Sequence, residues 1–290
     1  MTPTEYDEFL RKAFDAFLAA RASRDCLANY HYLPYDAVDL SGLRWPGMGD
    51  VLIRDELREL TNNLNAWLTS LRHWHAWLAV ARNYSEDDRW ELEHEFIATL
   101  ATFCIFQPSA VRDAFTFVVT NGMHQVRRAI DPAYKDHLPL DKAPWEKRGY
   151  PARGRVEQQL KTVVCQWPSG AVLLENLKQL DDEVVRRTTS DFRNRASHSI
   201  APRFSIGLTR AVTRAVVQAT RMEQQNDGFF HVVPIPGQTV ISYGFGGTEA
   251  LRFEEMLDLN LKQFRIAITC FDCYVSMLNA AVGNSDMGVK

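Results

Sequence analysis

Leucines at 57, 60, 64, 68 and 71 recur every three or four residues between about Arg54 and Ala81, with Trp67, Trp74 and Trp77 along the same stretch. This period predicts one long helix with a wide apolar face, which can be buried only against other helices. An apolar content of 46% supplies the partners. Helices are expected over about 4–22, 90–106, 110–130, 155–166, 171–188, 207–224 and 249–282, with breaks at Pro34–Gly49, at Gln107-Pro108-Ser109 and at Trp167–Gly170. Ser85-Glu86-Asp87-Asp88 suits a helix start. Residues 137–154 carry five prolines and glycines among charges and are expected to form a surface connection. Two β-branched and aromatic runs, FFHVVPI and TVISYGF, flank Pro236-Gly237-Gln238 and suggest a hairpin at about 229–247, ended by a turn at Gly244–Gly247. The expectation is an all-α helical bundle with extra N-terminal helices and a small β-hairpin insertion. Residues 1–50 would pack on a domain spanning 51–290.

Charge and cysteine usage narrow the function classes. A net charge of −3 and a pI near 6.3 leave no overall polyanion-binding character, so any nucleic-acid surface must be local. Five cysteines in a chain large enough to fold without staples favour reduced thiols and a cytoplasmic setting. Cys270 and Cys273 form a CxxC inside an apolar run with no second pair, so they are expected as core residues. The amino terminus lacks a basic start and an apolar stretch, and no run nears the roughly 20 apolar residues of a membrane span, so no membrane partner is expected.

Glu91-x-x-His94 has the spacing of a carboxylate and imidazole one helical turn apart, but di-iron bundles need two such pairs, and His73 and His75 lie about 200° apart on their helix. No metal is expected. No GxGxxG, Walker-type or GxSxG motif occurs, and no cofactor is expected. The exception to this plain chemistry is the span from Arg186 to Arg221: eight arginines (186, 187, 193, 195, 203, 210, 214, 221), no lysine and one acid, Asp191, a local charge of about +7. Planar guanidinium forks suit phosphate oxygens, whereas a solvated helix face paired with acids elsewhere would look the same in sequence.

Within that span the chain reads Arg193-Asn194-Arg195-Ala196-Ser197-His198. This resembles the ribonuclease motif of the HEPN superfamily, an arginine, four to six residues and a histidine, with a polar residue after the arginine. Two other matches differ in context: Arg89 to His94 has tryptophan after the arginine and glutamates in between, and Arg24 to His31 lies in an amino-terminal segment with no surrounding positive charge. The resemblance implies a helical, metal-independent endoribonuclease, a toxin or antiphage effector acting on tRNA, rRNA or mRNA. His198 would be general base, Arg193 would hold the phosphate and Asn194 would anchor phosphate or orient the histidine. Arg195, Arg203, Arg186 and Arg187 would form the RNA-binding floor. Positions five apart on a helix lie about 140° around its axis, so a homodimer that joins two motifs in one cleft is implied. An antitoxin or inhibitor protein is a further expected partner. Some members carry a modifiable tyrosine two residues after the histidine, where this chain has Ile200. The alternative is a non-catalytic helical RNA-binding or interaction module.

Overall fold

The computed structural model describes residues 1–23, 27–141 and 151–283. The chain is mainly α-helical. Helix α1 (Pro3–Ala22) starts at a capping box in which the Thr2 hydroxyl accepts from Glu5 N–H and the Glu5 carboxylate accepts from Thr2 N–H. Of its larger apolar side chains, Phe17 is buried, whereas Phe14 and Leu18 are exposed. Helix α2 (Gly49–Ala81) buries the predicted leucine and tryptophan face. Trp77 is stacked between two rings, Phe17 of α1 at 4.5 Å and Phe96 at 4.1 Å, so one indole joins three segments.

Ser85 caps α3 (Glu86–Leu92) by accepting from Asp88 N–H, as the polar cluster suggested. A π-helical turn (Glu93–Ile97) leads directly into α4 (Ala98–Ile130). The expected break at Gln107-Pro108-Ser109 is therefore overturned. Pro108 lies inside α4 and is buried, and the cost of a proline in a helix interior, about 3 kcal/mol, is offset because α4 packs along both α2 and the last helix. The predicted connection at 137–154 falls partly outside the described residues, but its end already belongs to α5 (Arg153–Val164). The helix expected over 171–188 is two, α6 (Pro168–Gln179) and α7 (Glu183–Thr188), separated by Asp181 in left-handed conformation (φ 52°). A short α8 (Phe192–His198) follows.

The largest correction concerns residues 207–249. No helix forms over 207–224; instead β1 (Leu208–Gln224) pairs antiparallel with β2 (Phe230–Glu249), so the hairpin spans 208–249 and not 229–247. FFHVVPI and TVISYGF are one strand, and the turn lies at Asn226-Asp227-Gly228, with Gly228 at φ 80°. Pro236 and Gly237 sit in a bulge, residues 235–238 standing opposite Ala219 alone. Gly244–Gly247 is not a turn but part of the ladder. At Gly244 a Cβ would come within 2.8 Å of Thr213 Oγ1, which explains the glycine.

The ribbon hands the chain to α9 (Phe253–Gly283). By length and hydropathy α9 meets the requirement of a membrane-spanning helix, contrary to expectation. Its Phe264, Phe271, Tyr274 and Leu278 are nevertheless buried in the core shared with α2, α4 and α6. Cys270 and Cys273 are buried there as free thiols, and burial pushes Cys270 up to about 12. The N-terminal residues Ala13, Phe17, Tyr30, Leu33 and Leu40 join the same apolar cluster.

Candidate functional site

The geometry around the motif begins at α7. The Asp182 carboxylate caps it by accepting from Val185 N–H at 2.8 Å. Ser190 (φ 50°) and Asp191 (φ 55°) then turn the chain through two consecutive left-handed residues, neither of them glycine. Such residues cost on the order of 1 kcal/mol each and persist only where surrounding contacts hold them. Here Asp191 N–H donates to Arg186 O at 2.6 Å, and the Asp191 carboxylate accepts from the Asn194 side-chain amide at 2.8 Å. Phe192 anchors α8 by inserting its ring against Phe106 and Phe204.

With Phe192 turned inward, the other side chains of α8 divide. Arg193 and Asn194 line a cleft of about 1100 Å3, and Arg193 donates to Asn194 Oδ1 at 3.1 Å. Arg195 instead reaches the root of the ribbon, donating to Ile200 O and to Thr248 Oγ1 at 2.8 Å. His198 is exposed at the end of the helix and does not line the cleft. The structure therefore brings Arg193 and Asn194 together and leaves His198 apart, as 140° around a helix requires.

The facing walls come from α4 and α5. Arg153 is the hub: it grips Asp113 with two bonds of 2.8 and 3.0 Å, Asp181 at 2.9 Å and Ser109 Oγ at 2.7 Å. Asp181 also accepts from Arg186 at 3.1 Å, while its backbone N–H donates to Gln263 of α9. Gln159 is buried with its oxygen held by Leu140 N–H at 2.8 Å. Ile105, Val156, Val185 and the 58% exposed Phe117 supply the apolar lining. A cavity with apolar walls and a few convergent polar groups has the character of a ligand site. Three arginines (153, 186, 193) meet three aspartates (113, 181, 191), so the cleft is close to charge balance.

The eight arginines do not form one patch. Arg187 pairs with Glu183 and Arg221 with Glu223, and Arg203 is exposed beside the ribbon root. Arg210, Arg214 and Arg221 lie on β1. Of the cleft arginines, Arg193 is the one without a carboxylate partner among the described residues.

The rival motif at Arg89 and His94 is structural. Arg89 pairs with buried Glu93 at 2.6 Å and with Glu254 at 3.0 Å, the Ser205 hydroxyl donates to Glu93, and His94 stacks on Trp90. Arg24 lies outside the described residues, and His31 is exposed. His73 packs edge-on against Phe17, and burial holds His73 and His75 below the usual imidazole range. Among the described residues no three His, Cys, Asp or Glu side chains gather as a metal site.

Sequence reasoning missed Arg153, Asp181, Gln159 and Phe117. Arg153 falls within the connection expected over 137–154, and no local spacing ties it to Asp181. Comparison with known protein families, with curated proteins and with solved structures finds no match.

Proposed function

We propose that the chain is a metal-independent endoribonuclease of the HEPN type, in which α8 carries the catalytic pair Arg193 and His198. The observation that supports this reading is the state of those two groups. Arg193 enters the cleft with its cation uncompensated by any carboxylate among the described residues, and His198 is exposed on another side of the same helix.

In the reaction, His198 takes the proton of a ribose 2′-hydroxyl, and the oxygen attacks the adjacent phosphorus. The bond to the 5′-oxygen breaks, that oxygen takes a proton from water or from the histidine of a second copy, and a 2′,3′-cyclic phosphate remains. Arg193 matches the charge that grows on the phosphate oxygens, and Asn194 holds its guanidinium in place. Phe117 and Val185 offer an apolar wall to a base next to the scissile bond. Because one chain turns Arg193 and His198 to different sides, the complete site takes its histidine and arginine from two copies.

The test is incubation of the purified protein with structured RNA in EDTA, with product ends identified by mass spectrometry. Cleavage to 2′,3′-cyclic ends, lost in His198→Ala, is the expected result. Absence of cleavage by the wild-type protein, or equal cleavage by His198→Ala, rejects the proposal.

A further inference from the structure

Cross-strand pairs of an antiparallel ribbon share a face, so the register sorts its side chains into two sets. One face is mostly small or polar, with Thr209, Ala215 and Val217 of β1 against Thr248, Ser242 and Val240 of β2. At the root this face looks toward the body of the protein: Thr209 accepts from Arg203 N–H, and Thr248 accepts from Arg195 of α8. The opposite face, which at the root looks away from α8, sets Val212 against Phe245, Arg214 against Tyr243 and Val216 against Ile241, with Arg210 nearer the root. Past the polar pair Gln218 and Thr239 and the bulge, Met222 against Val232 resumes the apolar stripe, and Phe230 ends it. These apolar side chains are exposed, Phe245 to 90%. Together they present on the order of 1,000 Å2, against the few hundred Å2 that a soluble monomer leaves in one apolar patch.

We propose that this outer face docks on a membrane surface containing anionic lipid, the ribbon lying flat with Phe245, Val216 and Ile241 at the boundary between headgroups and acyl chains. Charge selects the anion. Arg210 and Arg214 are exposed on this face and form no ion pair among the described residues. The acids near the tip lie elsewhere and are already paired, Glu223 on the opposite face with Arg221 and Asp227 of the turn with His231. Glu249, opposite Leu208 at the root, is the one carboxylate on the face among the described residues. RNA would match the two guanidinium groups but would meet mainly aliphatic side chains, which neither stack on bases nor bond to phosphate. A second copy would set Arg210 and Arg214 of one ribbon in the same interface as those of the other, with only Glu249 of each to offset them. A lipid leaflet matches both parts of the face. Its acyl boundary takes the aliphatic and phenyl side chains, while Tyr243 and the arginines keep their polar ends among headgroup phosphates. Both long edges of a two-stranded ribbon carry unpaired backbone groups, so it lies at the wet boundary and does not cross the hydrocarbon. Strand alternation spreads the apolar surface over every second residue, and so no apolar run marks it in the sequence. Docking needs nothing from Arg193 or His198 and stands apart from RNA cleavage.

The experiment is flotation of the full chain with vesicles of phosphatidylcholine, alone or with about 30% phosphatidylglycerol. Wild type should float with the anionic vesicles and more weakly with the neutral ones. Arg210→Gln/Arg214→Gln should lower partition onto anionic vesicles about 30-fold and leave the neutral ones unchanged. Val216→Ser/Phe245→Ser should lower partition onto both by ~100-fold or more. Val217→Ser/Val240→Ser, a matched change on the opposite face, should bind as wild type. Helical circular dichroism and thermal midpoint should be the same in all four proteins, because the substituted positions are exposed. A wild type that does not float with anionic vesicles, or an equal loss from the two serine pairs, overturns the proposal. So does a wild type that ignores vesicles but binds single-stranded RNA, or forms a dimer, through Val216 and Phe245, since either result gives the face another occupant.

Discussion

Asn194 donates its side-chain amide to the carboxylate of Asp191 at 2.8 Å, joining the first turn of α8 to the left-handed residue that launches it. The bond spans three residues, yet it fixes which way the helix presents Arg193. Asn194→Ala should cost about 1 kcal/mol in stability and lower RNA cleavage more than that loss of folded protein explains. Asp191→Gly should recover the left-handed turn at no steric cost but lose the bond, and so should share the activity defect while melting near wild type. Thermal melts and initial rates measured side by side check both.

His198→Ala and Arg193→Ala should each reduce cleavage by about 10² to 10⁴ while keeping the fold, since neither side chain is buried. Arg193→Lys should not restore the rate, because an ammonium cannot grip two phosphate oxygens at once. His94→Ala and His31→Ala should retain activity. Single-turnover rates on a defined RNA distinguish these outcomes.

Arg153 should matter to stability first. It holds Asp113, Asp181 and Ser109 together across α4, α5 and the turn before α7. Arg153→Met should destabilise by about 2 kcal/mol, less than the ~3 to 5 of a fully buried pair because Asp113 is half exposed. Urea denaturation measures it.

Gly122 permits the approach of α9 to α4. A Cβ there would stand 2.0 Å from the hydroxyl of Tyr274, which is fully buried. Gly122→Ala should therefore cost about 1 to 3 kcal/mol by overpacking, and Gly122→Ala/Tyr274→Phe should recover part of it.

Glu56 gives a pH dependence with a definite sign. Burial raises its carboxyl above the ordinary 4.5, against the lowering effect of the hydrogen bond from Asn121. Below 4.5 the group is protonated in both folded and unfolded chains. As pH rises past that value the unfolded chain ionises first, so stability falls until the folded group also ionises, and the loss persists at neutral pH. Glu56→Gln should remove this fall and raise the melting temperature at pH 7 more than at pH 4.

The long helices were legible because α2 and α9 each keep one period over 30 residues or so, and packing rewards that period. The ribbon was not. Leu208, Val212 and Val216 stand four apart, which fits a helix face and equally the even positions of a strand, and only pairing with β2 decides between them. Asp227-Gly228 was the turn signal, but Pro236-Gly237 drew the turn ten residues too late. Arg193 and Asn194 could be found because they are adjacent and chemically unusual. Their cleft could not, since its walls come from residues 105–117, 153–159 and 181–194, and nothing in sequence spacing reports that α4 and α5 face α8.

At its root the ribbon is fastened through both strands to the segment that carries the motif and its continuation: Arg195 of α8 donates to Thr248 of β2, and Arg203 N–H donates to Thr209 Oγ1 of β1. A strand of 17 residues extends about 55 Å from that anchorage. The ribbon is thus a long lever with its fulcrum at α8. Any load on the tip arrives, multiplied by the length of the arm, at the turn of helix between Arg193 and His198.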